Sequence, residues 1–188
     1  MRNHELLALY AQHTVTPPAM TFTRARWILE GFAETTSALL PFEQCFRIDD
    51  TVREAALAFL TYRFTPLLVT DCDFDVAFEA AGLVLSFSDS NIHVRFLEEI
   101  VLNVVNPDDL RVFAKMVRRI APDRLEATLL RYARCNNDLH ARNAFWLTYH
   151  LQHPWSESAW GELVAMGAYL VERHDTNVYL REAATLVL

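Results

Sequence analysis

What most constrains this chain is how often it signals the start of a helix. Asp49 or Asp50, Ser90 or Asn91, Asn137 or Asp138, Ser156, and Asp175 or Asn177 each precede a run with helical apolar spacing. Asn106-Pro107 and Ala121-Pro122-Asp123 repeat the device with proline at the first helical position, where its missing N–H leaves no bond unmade. Inside the runs, apolar residues recur at three and four residues, as in Val52, Ala55, Ala56, Phe59 and Leu60, or Leu163, Met166, Gly167, Leu170 and Val171. Only 4 glycines and 7 prolines punctuate 188 residues, too few for an all-β chain with many tight turns. Leu67-Leu68-Val69 and Leu83-Val84-Leu85 are too short, beside helix-period neighbours, to count as strands.

The expected fold class is therefore all-α, with about ten helices joined by short connections. Asn3 caps the first, which ends near His13, and Pro17-Pro18 mark an extended loop through Phe22. The rest fall near 24–40, 51–64, 74–87, 92–105, 107–120, 123–134, 139–152, 157–173 and 178–188. Apolar residues make up 52% of the chain, enough to bury the core of one domain spanning 1–188. No apolar run reaches the roughly 18 residues of a membrane span. The N-terminus lacks the pattern of a signal peptide. Cys45, Cys72 and Cys135 are an odd set without CxxC spacing, which fits buried thiols in a reducing, cytoplasmic setting.

Seventeen bases against 24 acids give a net charge of −7, which opposes non-specific binding to nucleic acid or to an anionic membrane. The charge is uneven: residues 1–105 hold 14 acids and 7 bases, whereas 106–188 hold 10 of each. Arg111, Lys115, Arg118, Arg119, Arg124, Arg131, Arg134 and Arg142 form a basic stretch, for which a solvated face with i,i+4 ion pairs is the default.

Four helices share a local pattern. Val52-Arg53-Glu54-Ala55-Ala56 is repeated as Leu180-Arg181-Glu182-Ala183-Ala184, less closely as Ala141-Arg142-Asn143-Ala144, and less closely again as Val94-Arg95-Phe96-Leu97. The arginines, at 53, 95, 142 and 181, are 42, 47 and 39 residues apart. A capping residue stands four before each (Asp49, Asn91, Asp138, Asn177), and an acid six before two of them (Asp89, Asp175). Arg47 and Asn136 take that place in the other two. This resembles the HEAT-repeat family over roughly residues 23–188. The resemblance implies antiparallel hairpins stacked as a right-handed α-solenoid, with Asp–Arg bonds between neighbouring repeats. The hairpins would pair 24–40 with 51–64, 74–87 with 92–105, 107–134 with 139–152, and 157–173 with 178–188, after an N-terminal helix and loop over 1–22. The alternative is an irregular helical bundle in which good helix formers recur by chance.

Site chemistry is sparse. Asp71-Cys72-Asp73-Phe74-Asp75 opens like a calcium loop but has Val76 at the sixth position and Gly82 at the twelfth, so capping explains it better. His140, His150 and His153 lack the convergent spacing of a zinc site. No nucleophile elbow, P-loop or dinucleotide turn is present. The sequence thus offers no catalytic set, no metal ligands and no cofactor motif.

These features point to a non-catalytic protein-binding module or adaptor. Its candidate binding surface comprises Arg53, Arg95, Glu98, Arg142, Trp146, Tyr149, His150, Trp155 and Arg181, since Trp, Tyr and Arg dominate interface hot spots. Trp146, Tyr149, Trp155 and Trp160 form either core or pocket. The acidic first part favours a partner with a basic surface. The apolar end Thr185-Leu186-Val187-Leu188 either joins a second copy, giving a homo-oligomer, or folds inward. Two alternatives stand beside this: a bacterial immunity or antitoxin-type inhibitor, and, by resemblance to HEAT-like glycosylases, a protein that binds or repairs DNA.

Overall fold

The computed structural model describes residues 18–39, 48–64 and 75–188. Among them are nine α-helices, one 3-10 turn and no strand, so the chain is all-α. The expected helix from Asn3, the loop as far as Pro17, Leu67-Leu68-Val69, Asp71-Cys72-Asp73, Cys45 and Cys72 lie outside the described residues. The described residues divide between Ile100 and Val101 into two compact units.

The first unit holds α1 (Phe22–Leu39), α2 (Asp50–Phe64), α3 (Asp75–Ser86) and α4 (Ser90–Glu99). Helix α2 is its centre: α1, α3 and α4 all pack on it, and α1 and α3 pack on each other. Every residue from Ala55 to Thr61 is buried, as a helix apolar on all sides requires. The ring of Phe22 stacks on Phe59 at 5.3 Å between centroids. The hairpin expected of 74–87 with 92–105 is replaced by other pairings, α3 with α1 and α2, and α4 with α2. Leu83-Val84-Leu85 is part of α3. Asp89, one residue before the expected cap, accepts from the amides of Asn91 (2.9 Å) and Ile92 (3.1 Å) and sets a negative charge at the positive end of α4.

The second unit holds the 3-10 turn Val101–Asn103, then α5 (Pro107–Val117), α6 (Pro122–Ala133), α7 (Asp138–Leu151), α8 (Glu157–Glu172) and α9 (Val178–Thr185). Here α7 is the centre: the 3-10 turn, α5, α6 and α9 pack on it, while α8 packs on α6 and α9. Asn106, Asn137, Ser156 and Asn177 cap α5, α7, α8 and α9 through side-chain oxygens. Ala121 cannot do so, and α6 starts on Pro122 alone.

The helix expected to reach 105 stops at Glu99, and two side chains of α7 take the carbonyls of the turn that follows. Arg142 Nη2 donates to the carbonyl oxygens of Val104 (3.0 Å) and Val105 (2.9 Å). Its Nε and Nη2 also donate to Asn143 Oδ1, at 2.9 and 2.6 Å. Asn143 Nδ2 donates in turn to the carbonyls of Leu102 (2.9 Å) and Val104 (2.8 Å). Arg142 is 0% exposed. Burial lowers its pKa to about 10, which leaves it charged at neutral pH.

Helix α7 closes on Gln152, held at φ 46°, a left-handed conformation that ends a helix and costs a side-chain-bearing residue about 1–2 kcal/mol. Helix α9 folds inward: Leu180, Ala183, Ala184 and Val187 are buried, while Val178 and Leu188 face outward. It approaches α8 at Gly167, where an added Cβ would stand 3.0 Å from both the Ala184 carbonyl oxygen and Val187 Cγ2.

Two predictions follow from this packing. Arg142→Met leaves the Val105 carbonyl without its donor, at roughly 1–3 kcal/mol for each group left unpaired. Its urea midpoint should fall clearly below that of the unaltered chain. Gly167→Val should cost about 1–3 kcal/mol by overpacking the α8–α9 contact. Gly161→Ala, on the same helix with nothing within 4 Å of the new Cβ, should gain about 0.5–1 kcal/mol. Parallel urea titrations of the two variants check the contrast.

Candidate recognition surface

The nominated residues separate into frame and surface. Arg53, Arg95 and Glu98 belong to the first unit. Arg53 Nη1 donates to Asp50 at 2.8 Å. Arg95 on α4 bonds to Glu54 on α2 and, through Nε at 2.9 Å, to Glu99. Hydrogen bonds from the two carboxylates, Glu54 first, raise its pKa above the ordinary arginine value. Glu98 is half-buried. Arg142 is sealed in the core of the second unit, so it cannot touch a partner. Arg181 Nη2 donates to the carbonyls of Arg173 (2.9 Å), His174 (3.2 Å) and Thr176 (3.3 Å), which closes the turn after α8. The Asp–Arg bonds implied by the repeat resemblance are not made at these positions. Asp89 caps α4, Arg95 takes glutamates, and Asp175 pairs with Arg173.

What remains on the surface is aromatic. Trp146, Tyr149 and His150 occupy the i, i+3 and i+4 positions on the last turns of α7, a spacing that places them on one face. Trp146 and His150 stack at 5.5 Å with 19° between planes. Tyr149 meets both edge-on, at 6.3 Å from Trp146 and 5.2 Å from His150. Tyr149 is 53% exposed, the most open of the three. Trp155 belongs to a separate group beyond Gln152, edge-on to His153 at 5.3 Å and tilted against Trp160 at 6.5 Å. No ring of one group touches a ring of the other. The aromatic cluster that the sequence suggested is thus two clusters.

The second cluster is tied down from α6. Glu126 Oε1 accepts from the Ser156 amide at 2.8 Å and meets His153 Nε2 at 3.2 Å, and Oε2 accepts from the Ser156 hydroxyl at 2.6 Å. Burial pushes the Glu126 carboxyl up, but the bonds from Ser156 and His153 outweigh it and hold the group below its ordinary value. Ser156 Oγ accepts from the Ala159 amide, so the arrangement anchors the start of α8. The serine is bonded to the glutamate, not to the histidine, which is not the order of a nucleophile and its base.

Two arginines, named in the sequence only as members of a basic stretch, reach the first cluster. Arg118, following α5, donates to the His150 carbonyl at 3.4 Å. Arg111 lies close enough for its charge to act on the His150 ring. Burial first, and then Arg111, lower the His150 pKa, against the opposing pull of Asp108. Lys115 stands between them in sequence and is exposed. Among the described residues, Arg111, Lys115 and Arg118 form no ion pair, whereas Arg134 of the same basic stretch pairs with Glu162. The signal for this was in the sequence: bases at i, i+4 and i+7 fall on one helix face.

Among the described residues no three His, Cys, Asp or Glu side chains come together as a metal would need. His140 meets Asn103 Oδ1 at 2.9 Å, His150 lies on Trp146, and His153 is on Glu126. Burial pushes the Cys135 thiol up, which makes it a poor nucleophile.

His150 should therefore titrate below the ordinary 6.5, and Arg111→Gln should move its midpoint upward; proton NMR of the ring checks both. Its contribution to stability is fully present above about pH 6.5 and is lost as pH falls from there through the lower value of the folded state, because the unfolded chain takes the proton first. No protein-family model matches this chain, and no curated protein and no solved structure matches it.

Proposed function

We propose that this protein is a non-catalytic binding module that recognises a protein partner through the α7 surface formed by Trp146, Tyr149 and His150. The observation that carries this is Tyr149, more than half exposed at the rim of a packed aromatic cluster with two arginines beside it. Buried tyrosine and tryptophan are ordinary core. An exposed group of them next to arginine is the composition of an interface hot spot. The other nominated arginines hold the fold together, so the surface narrows from nine residues to these three and their basic neighbours.

No such combination favours catalysis. Glu126, half-buried with hydrogen-bonded Ser156 and His153 neighbours, anchors the start of a helix. The HEAT-like stacking suggested by the sequence remains compatible with a binding role but is not needed for it.

A photo-crosslinking residue at position 149 tests the reading, with the same residue at exposed Glu182 on α9 as control. Crosslinking in native lysate should give one stoichiometric protein adduct at 149 and none at 182. The same partner should be lost from a pull-down with Tyr149→Ala. Equal adducts at both positions, or an unchanged pull-down, would overturn it.

A further inference from the structure

The exposed side of α5 and the residue after it carry a stripe of three positive charges. Arg111 and Lys115 are four residues apart, and Lys115 and Arg118 three, so like charges face each other along one helix surface. Among the described residues none of the three forms an ion pair with a carboxylate, although the chain holds 24 acids against 17 bases and pairs Arg26, Arg53, Arg95, Arg134 and Arg173 with carboxylates. Such local conflict between sequence and structure is expected where function requires it.

Two of the three cations reach the aromatic group on α7, and Lys115 lies between them on the same helix face. Arg111 and Arg118 both act on His150, and His150 stacks on Trp146 beside the open Tyr149. Charge beside an aromatic anchor fits a ligand with the complementary pair: carboxylates next to an apolar side chain. We propose that the Arg111–Lys115–Arg118 stripe and the adjoining Trp146, Tyr149 and His150 bind an acidic peptide segment of a partner protein, one that carries an aromatic or aliphatic anchor. This rests on the reading of the α7 surface given above, and it differs from the expectation, drawn from the acidic first part of the chain, of a basic partner.

A single-stranded nucleic acid would fit less well. Such ligands use a long basic track and rings with free faces on which successive bases stack. Here Trp146 and His150 turn faces to each other, the stripe has three cations, and Asp108 lies near enough to act on His150.

The test is selection from a displayed library of random peptides of about twelve residues. The baits are the unaltered protein, the triple variant Arg111→Gln/Lys115→Gln/Arg118→Gln, and Tyr149→Ala. All the changed side chains are exposed, and circular dichroism confirms that each bait folds. The unaltered protein should enrich peptides with Asp and Glu around one aromatic or aliphatic residue. A synthetic copy of the most enriched peptide should bind the triple variant about tenfold more weakly by fluorescence anisotropy. Its affinity should also fall as salt is raised from about 50 to about 300 mM. Tyr149→Ala should weaken it as well.

Enrichment of neutral or basic peptides, or equal affinity for the triple variant, overturns the acidic-partner inference. The surface reading survives that result if Tyr149→Ala still weakens binding, and falls if it does not. No enrichment at all overturns the inference. So does tighter binding of labelled oligothymidylate than of any selected peptide. A dimer seen by sedimentation and dissolved by Tyr149→Ala overturns it too, because a second copy then occupies the face.

Discussion

A guanidinium without a carboxylate governs the second unit. Arg142 and Asn143 sit side by side on α7 and together receive the carbonyls of residues 102, 104 and 105. Backbone oxygens that leave a helix and enter a core must find donors. Two adjacent side chains provide them here, which turns the end of a helix into a tight turn laid on α7. Every other contact of α7 is arranged around that junction. Leu139 and Phe145 face inward on the same helix, and Trp146, Tyr149 and His150 are what remains outside. The aromatic face stays outside because the inner half of α7 is buried in the unit's core.

The helices were legible because their starts are chemical. Asp49, Asn106, Asn137, Ser156 and Asn177 accept from amides two or three residues on, and each stands where the sequence announces a cap. Asp89 was missed by one position because Ser90 and Asn91 are also good caps and only geometry decides among them. The end of α4 was not legible. Nothing between Ile100 and Val105 forbids a helix. The carbonyls of the turn that replaces it are taken by a pair of side chains about forty residues away in sequence.

The site was partly legible. Aromatic crowding between 146 and 160 is visible in the sequence, but its division at Gln152 is not, since glutamine gives no sign of a left-handed turn. The arginines misled in a regular way. Their recurrence at 53, 95, 142 and 181 marks positions held by three different means: carboxylates for Arg53, within its own helix, and Arg95, core carbonyls for Arg142, turn carbonyls for Arg181. The bases that reach the surface cluster carry no such pattern and announce themselves only by failing to find acids.

The way Arg142 is held has a consequence for how the protein responds to its surroundings. Contacts between exposed charges fade as ions gather around them, and bonds to carboxylates are lost when acid protonates those carboxylates. A cation enclosed by amide oxygens has neither weakness: mobile ions do not reach it, and its partners take no proton in ordinary acid. Ionic strength and mild acidity therefore act on the outside of the second unit while leaving its central joint untouched. The exposed aromatic face of α7 can thus meet a changing medium without the joint that positions it being loosened.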